Sequence, residues 1–384
     1  MEAGMTDHTQ ASIMDIIDQL LGIEQNSEIW AIRHAREKVV AATQASYDGY
    51  FAQNLSQLSL LQRLEIAALC SELTPCPLLV HHYTKQLALE KNQAHVSGLN
   101  DVAMAAAKEF AKVLTTKPID GDKAFLHTLP EAGLDTPTIV ALAQLIAFMS
   151  FQTRVVQGLL AMKDASLNRI AKPTSPTADT INTAKSEYAL GSPIRIKGFT
   201  NEELSWKSWL DVLKLESATE EQLAVLKESH PKATISDYYL TLVHQPNILK
   251  QRSIAFNAIM YAPGGLSRAD RELGATVVSR INGCVYCASV HAQRFEELGK
   301  RNDAISQVFE DPRSVTTNRR DKAISDFSIQ LTLEPNKVNA SSIQALAAVG
   351  MNLGEVLDLM HSVAIFAWAN RLMLNLGEPV PISI

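Results

Sequence analysis

Three side chains that can carry redox chemistry lie close together within residues 281–291: Cys284, Cys287 and His291. Their spacings of three, four and seven residues place them on one face of a helix, because 3.6 residues make one turn. Near the start of a helix, unpaired backbone N–H groups and the helix dipole favour a thiolate over a thiol. A histidine one turn beyond the second cysteine can accept its proton. The pattern therefore predicts a dithiol that cycles between a reduced form and a disulfide.

The elements that must position these residues are predicted to be helices. Asn282 and Gly283 are residue types common where a helix begins, so we expect the cysteines in its first turns. Apolar residues recur at three- and four-residue spacing along most of the chain, in 13–21, 66–73, 102–113, 139–162, 272–281 and 356–376. Gly299 and Gly377 resemble helix ends, and 193–198 is a short strand candidate. The predicted fold class is all-α.

The composition sets limits on the class of protein. The chain has 384 residues, of which 46% are hydrophobic, so it can bury a large core and is long enough for two domains. A net charge of −6 gives no basic surface for nucleic acid or an anionic membrane, so we expect neither as a partner. No apolar stretch is expected to reach the roughly 20 residues that span a bilayer. Four cysteines and no signal pattern predict a cytoplasmic protein.

The sequence repeats itself distantly, in two registers. A shift of 208 positions pairs Leu58, Ser59, Arg63, Ala67, Ser71 and Cys76 with Leu266, Ser267, Arg271, Ala275, Ser279 and Cys284. A shift of 217 positions pairs Gly133, Leu142, Ala147, Arg154 and Leu159 with Gly350, Leu359, Ala364, Arg371 and Leu376. Two registers in the same order predict a duplicated domain. We expect one copy in 1–165, a linker in 166–200 and a second copy in 201–384.

The N-terminal copy is predicted to lack the dithiol chemistry. Cys76 corresponds to Cys284, but Leu79 stands where Cys287 would be, Tyr83 where His291 would be, and Leu64 where a glutamate, Glu272, stands in the second copy. Without a second thiol this copy cannot form the same disulfide. We expect it to act structurally, by supplying the surface that a second subunit would otherwise give.

The spacing Glu272, Cys284, Cys287 and His291 resembles the alkylhydroperoxidase AhpD-like group of the carboxymuconolactone decarboxylase superfamily. The surrounding Gly-Gly-Leu-Ser-Arg-Ala-Asp-Arg-Glu-Leu and the late Ala-Asn-Arg belong to the same resemblance. The resemblance is strongest over residues 261–298. Together with the repeat, it implies two AhpD-like helical domains in tandem. It also implies a proton relay through Glu272, His291, Cys287 and Cys284. Tyr286 stands between the cysteines where the best-known members have histidine, so we assign it a supporting place beside the relay.

The resemblance implies a peroxidase that reduces organic hydroperoxides without a cofactor or a metal. A thiolate attacks the O–O bond and becomes a sulfenic acid, which a second thiol condenses to a disulfide. Cys287 is predicted to attack because it lies one turn from His291, and Cys284 to resolve and face the reductant. The implied partner is an external dithiol reductant, lipoylated or thioredoxin-like. The implied assembly is a homo-oligomer, with a trimer favoured.

Other functions stay open on the sequence alone. A general thiol–disulfide oxidoreductase would keep the cysteine pair without using peroxide, and a non-catalytic redox sensor would use its oxidation to change assembly. A lactone decarboxylase like the namesake of the superfamily is disfavoured, because such members generally lack the paired cysteines. Zinc bound by Cys284, Cys287 and His291 would lack a fourth ligand in this run.

Overall fold

The computed structural model describes residues 15–52, 55–92, 98–167 and 188–382, and helices dominate it. The helices of the first half are α1 Ile16–Leu21, α2 Glu28–His34, α3 Glu37–Tyr50, α4 Leu60–Leu73, α5 Pro77–Glu90, α6 Asp101–Thr116, α7 Lys123–Glu131 and α8 Thr136–Leu167. Those of the second half are α9 Glu220–Ser229, α10 Asp237–Leu242, α11 Pro246–Met260, α12 Arg268–Asn282, α13 Val285–Gly299, α14 Asp303–Glu310, α15 Arg319–Leu333, α16 Ala340–Ala348 and α17 Leu353–Asn375. The predicted all-α class is confirmed.

Short extended segments and 3-10 turns complete the described chain. The strands are β1 Arg195–Ile196, β2 Phe199–Thr200, β3 Leu204–Ser208 and β4 Gly377–Pro381. The 3-10 turns are Pro118–Asp120, Leu215–Ser217, Ala233–Ile235, Pro312–Ser314 and Pro335–Lys337. β1 pairs with β2, and β3 pairs with β4, both antiparallel. Of the strand candidate 193–198, only Arg195 and Ile196 form a strand, and its partner strand, Phe199–Thr200, lies just beyond the predicted range.

The β3–β4 pair ties the start of the second half to its end. Trp206 on β3 is buried, and its Nε1 donates to the carbonyl of Met373 at 3.0 Å. Gly377 begins β4 where a Cβ would meet the carbonyl of Lys207 at 2.2 Å, so glycine permits the close approach of the two strands. No local turn joins these strands, and the sequence therefore carried no hairpin signal for them.

The bounds of the helices repeat with the two registers of the sequence. α4 and α12 begin 208 positions apart, each after a serine that accepts a hydrogen bond from the third residue beyond it, Ser59 and Ser267. α5 and α13 also begin 208 positions apart. The 3-10 turns at Pro118 and Pro335, the starts of α7 and α16, and the starts of α8 and α17 are 217 positions apart. Duplication stays our interpretation of this agreement.

α8 and α17 pack against each other at the centre of the molecule, and most residues of both are buried. α8 is long and apolar enough to cross a membrane, so the expectation that no stretch would reach this length was wrong. Its most apolar window is wholly buried inside the fold, as in the core helix of a globular protein. α16 and α17 together pass the same test, but they are bent by 114° where they meet.

The predicted linker, 166–200, lies partly outside the described residues, which omit 168–187. α8 extends to Leu167, so the first two residues of the predicted linker are helical. Beyond residue 187 the segment carries β1 and β2, and Gly191 N donates to the carboxylate of Glu296 on α13. This end of the linker therefore packs on the second half.

Candidate active site

A tight turn between α12 and α13 sets the position of the first cysteine. Gly283 has a φ of +79°, which a side chain would strain, and a Cβ there would lie 2.2 Å from Cδ1 of Ile119 in the first half. Cys284 follows as the N-cap of α13, and its N–H donates to the carbonyl of Ser279 at 2.8 Å. Asn282 is the last residue of α12, so its predicted place at the start of the cysteine helix was wrong.

Both cysteines are buried and unbonded, with exposed fractions of 2% for Cys284 and 4% for Cys287. Their thiols are hydrogen-bonded to each other. Burial raises the pKa of the Cys284 thiol well above its usual range, and this contact raises it further by a smaller amount. The expectation that the helix start would favour a thiolate fails at Cys284, because loss of water outweighs the helix dipole there. In the reduced protein Cys284 is a thiol.

Asn370 on α17 holds the turn from the other side. Its amide nitrogen donates to Oγ of Ser279 at 3.1 Å, and its oxygen accepts from Nδ2 of Asn282 at 2.9 Å. A hydrogen bond between Asn370 and Cys284 lowers the pKa of that thiol, although by less than burial raises it. The only sign of this role in the sequence is the Ala-Asn-Arg run at 369–371, which belongs to the family resemblance.

The predicted pair Glu272 and His291 is formed. Nδ1 of His291 is hydrogen-bonded to Oε2 of Glu272, whose side chain is fully buried on α12. A carboxylate only accepts, so the imidazole donates from Nδ1 and its Nε2 is left to accept a proton. Nε of Arg268 lies 3.3 Å from the other carboxylate oxygen, and the ring of Phe366 packs 4.3 Å from the imidazole. These contacts fix the histidine in one orientation.

A cavity of about 600 Å³ opens beside the histidine. Cys287, His291 and Tyr286 line it, whereas Cys284 is not among the described residues of its wall. Burial raises the pKa of Tyr286 to about 12, so its hydroxyl is neutral and can donate a hydrogen bond. The predicted placing of Cys284 toward the reductant is thus not favoured by the geometry, because the cavity gives access to Cys287.

Most of the other cavity walls were not singled out from the sequence. Many of them are aromatic or apolar groups of β3, α10, α11 and α17: Trp206, Tyr238, Tyr239, Phe256, Phe366 and Met373. Ionisable side chains of both signs also line the cavity: Glu203, Lys207, His230, Lys232 and Asp237. Arg252 on α11 also lines the cavity. Periodicity marks such residues as core, and nothing in their spacing tells that they surround an open space rather than fill it.

The corresponding turn of the first half holds no second thiol. Cys76 is the N-cap of α5, but the side chains of Leu79 and Leu64 are buried and apolar. The hydroxyl of Tyr83, which stands in place of a histidine, donates to Oε1 of Gln152 at 2.6 Å. Tyr83 and Leu79 are fully buried, so these residues belong to the core of the first half.

The cysteines and His291 do not form a metal-binding group in the described structure. The group whose possible ligand atoms lie within 4.8 Å of one another is Asp15, Asp18 and His34, far from the cysteines in the sequence. Arg33 donates to both of those carboxylates, at 2.6 and 2.8 Å, and supplies the positive charge that a cation would bring.

Comparison with known proteins agrees with the resemblance seen in the sequence. Residues 246–316, which include Glu272, both cysteines and His291, match the model of the carboxymuconolactone decarboxylase family. No curated protein matches the chain.

Two solved structures are similar at low identity. One, titled the alkylhydroperoxidase AhpD core of an uncharacterized peroxidase-related protein from Ralstonia eutropha JMP134, is 23% identical, with 44% of this chain and 98% of that chain covered and a TM-score of 0.39. The other, an uncharacterized peroxidase-related protein from Silicibacter sp. TM1040, is 19% identical, with 55% and 95% covered and a TM-score of 0.37. Similarity at this level says nothing about the activity of this chain.

Proposed function

We propose that the chain is a peroxidase that reduces organic hydroperoxides, because residues 246–316 match the model of the carboxymuconolactone decarboxylase family. The observation that carries the proposal is the buried Glu272–His291 pair, whose histidine lines the same cavity as Cys287. Cys284 lies in hydrogen-bond contact behind that thiol. A base, an accessible thiol and a second thiol are the parts that a dithiol peroxidase needs.

The first step uses Cys287 and His291. The imidazole takes the proton of the Cys287 thiol, and Glu272 stabilises the imidazolium. The thiolate then attacks the terminal oxygen of the hydroperoxide, so an S–O bond forms and the O–O bond breaks. The leaving alkoxide takes the proton from the imidazolium and departs as an alcohol. Cys287 is left as a sulfenic acid.

The second step uses Cys284. Its sulfur attacks the Cys287 sulfenic acid, an S–S bond forms, and the hydroxyl leaves as water with the proton of the Cys284 thiol. A dithiol reductant must reopen this disulfide and is itself oxidised to a disulfide. We propose that it attacks the Cys287 sulfur, because this sulfur faces the cavity. A lipoyl dithiol suits this access, being held on a long flexible arm.

A decisive experiment is turnover of cumene hydroperoxide by the pre-reduced protein with dihydrolipoamide as donor. Cys287→Ser should abolish consumption of the hydroperoxide. Without added dithiol, Cys284→Ser should consume one equivalent per chain and leave a Cys287 sulfenic acid that dimedone traps, whereas the unsubstituted protein should end as a disulfide. Cys76→Ser, a buried cysteine of the first half, is the matched control and should keep full turnover. No turnover with any dithiol would favour a redox sensor, and dithiol exchange without peroxide use would favour a general oxidoreductase.

We further propose a cytoplasmic homo-oligomer, with a trimer favoured, that binds neither nucleic acid nor membrane. Within the chain, α8 and α17 already supply each half with a helical partner. Further association would then use other faces. Light scattering tests this point, because a particle near 42 kDa, the mass of one chain, would rule the trimer out.

A further inference from the structure

A buried arginine faces the cavity without an acceptor. Arg252 on α11 is 3% exposed and lines the same cavity as Cys287 and His291. Its Nε is buried and has no hydrogen-bond partner in the described parts of the chain. Its guanidinium instead lies over two rings, 5.3 Å from the centroid of Tyr238 and 5.5 Å from that of Phe256. A buried cation that no carboxylate neutralises is costly to the fold, so we infer that it serves a ligand.

The ring of Tyr238 contacts this guanidinium, and its hydroxyl also lacks a partner among the described residues. The hydroxyl of Tyr238 on α10 and that of Tyr50 on α3 are buried without a hydrogen bond in the described structure. Burial raises the pKa of both hydroxyls, and the positive charge of Arg252 is the next largest influence on each, lowering it. Both phenols are therefore neutral donors. Nε of Arg252 and the hydroxyl of Tyr238 are unsatisfied donors on two residues that line the cavity. They can serve an acceptor bound there, and a carboxylate is the acceptor that a guanidinium binds best.

We propose that Arg252, with the hydroxyl of Tyr238, binds the carboxylate of the substrate. The substrate class is then an organic hydroperoxide that carries a carboxylate at the end remote from its O–O bond. This assignment of class rests on the peroxidase function proposed above, whereas the carboxylate site itself does not.

The cavity has the shape and lining that such a molecule needs. A row of ring contacts runs from Arg252 to the relay. Phe256 lies under the guanidinium, its ring packs 5.9 Å from Phe366, and Phe366 packs 4.3 Å from His291. A hydrocarbon or aromatic body laid along these rings joins a carboxylate at Arg252 to a hydroperoxide beside Cys287. A volume of about 600 Å³ accommodates such a small amphiphile.

Binding of an unreactive ligand tests the site without any redox chemistry. Calorimetry would compare 4-isopropylbenzoate with 4-isopropylbenzamide, which has a similar shape and no charge, on the reduced full-length protein. The benzoate should bind about 10- to 100-fold more tightly, the usual range for hydrogen bonds to a charged group. Arg252→Gln should remove that preference, and Arg252→Lys should restore part of it. Lys250→Gln, which removes an exposed positive charge from the same helix, is the matched control and should preserve it.

Tyr238→Phe separates a binding role from a structural one. Because the hydroxyl has no partner in the protein, its removal should leave the free energy of unfolding unchanged or raise it. Affinity for the benzoate should nevertheless fall, by roughly 3- to 10-fold. A loss of stability together with equal binding of the benzoate would assign the tyrosine to the fold and contradict this part of the proposal.

Kinetics then tests the substrate class. The para-carboxylate and the para-carboxamide of cumene hydroperoxide would be compared at saturating dithiol. Arg252→Gln should raise KM for the carboxylate by about 10-fold or more and leave kcat and the carboxamide unchanged. Equal affinity for benzoate and benzamide, or an equal loss of both in Arg252→Gln, would overturn the site. Arg252-dependent benzoate binding without any hydroperoxide turnover would keep the site and remove the peroxidase function.

Discussion

Arg154 and Arg371 occupy corresponding positions on α8 and α17, and each reaches across to the other half of the molecule. Nη2 of Arg154 donates to the carbonyl of Thr332 at 2.5 Å, and Nη2 of Arg371 donates to the carbonyl of Thr115 at 2.8 Å. The two arginines are 217 positions apart, and so are the two threonines. A buried guanidinium from each half thus donates to a carbonyl near the C-terminal end of a helix in the other half, α15 for Arg154 and α6 for Arg371.

This exchange predicts that the two halves unfold together. Arg371→Met leaves the carbonyl of Thr115 buried with one donor fewer, which should lower the free energy of unfolding by about 1–3 kcal/mol. Arg294→Met removes a half-exposed arginine that pairs with Glu297 and should cost less than about 1 kcal/mol. Urea denaturation followed by circular dichroism measures both. Two separate transitions in the unsubstituted protein would contradict the interlocking of the halves.

Mild oxidation is predicted to join Cys284 and Cys287 and to spare the other cysteines. The thiols of the pair are already in contact, whereas Cys70 and Cys76 lie buried in the first half. Burial raises the pKa of Cys70 to about 11 and raises that of Cys76, so both stay as unreactive thiols at neutral pH. Thiol titration should fall by two after one equivalent of peroxide, and peptide mapping should place the disulfide. Oxidation of Cys70 or Cys76 first would refute this selectivity.

Substitution of the relay should slow peroxide consumption without abolishing it. His291→Gln removes the group that accepts the Cys287 proton, and kcat/KM should fall by roughly 100-fold or more. Glu272→Gln keeps a side chain of the same size and should cause a smaller fall, because it only weakens the stabilisation of the imidazolium. His82→Gln in the first half, where the imidazole contacts Tyr47, is the control. Rates within twofold of the unsubstituted protein in both relay variants would exclude the relay.

A buried histidine away from the site should make the fold sensitive to acid. Burial lowers the pKa of His361 to about 3, compared with 6.5 in an unfolded chain. The unfolded state therefore binds a proton first as the pH falls, and stability is lost progressively between about pH 6.5 and pH 3. Between pH 7 and pH 4, His361→Leu should reduce this loss by about 3 kcal/mol, at about 1.4 kcal/mol for each pH unit below 6.5.

Denaturation curves at pH 7 and pH 4 measure the effect of His361. His81→Gln, at an exposed histidine, controls for the removal of an imidazole as such. A loss of stability between these pH values that is equally large in the leucine variant would assign the acid sensitivity to other groups.

The sequence indicated the helices and the relay because both depend on local spacing. Cys284, Cys287 and His291 lie at the start of one helix, where spacings of three and four residues place them together, whereas Glu272 on the preceding helix was indicated by the family resemblance. Arg252 and Tyr238 were not predicted from the sequence. Their proposed function rests on hydrogen-bond donors that have no acceptor in the described structure, and residue spacing does not reveal a missing acceptor. The partner strand of Trp206 escaped because it lies some 170 residues further along. The loss of water that raises the pKa of Cys284 likewise depends on packing by distant helices.

If the two halves arose by the duplication that we infer, the presence of Tyr83 where the second half has His291 has a consequence for how such a molecule can change. In an assembly of two identical chains every substitution appears twice, so a change that improves packing on one side destroys chemistry on the other. A single chain that holds both sides escapes this coupling. Tyr83 could take a hydrogen bond to Gln152 and fill its space while His291 kept its role, because the two positions are inherited separately. In such a single chain the two halves no longer need to be identical, so the first half can become specialised for stable packing and the second for chemistry.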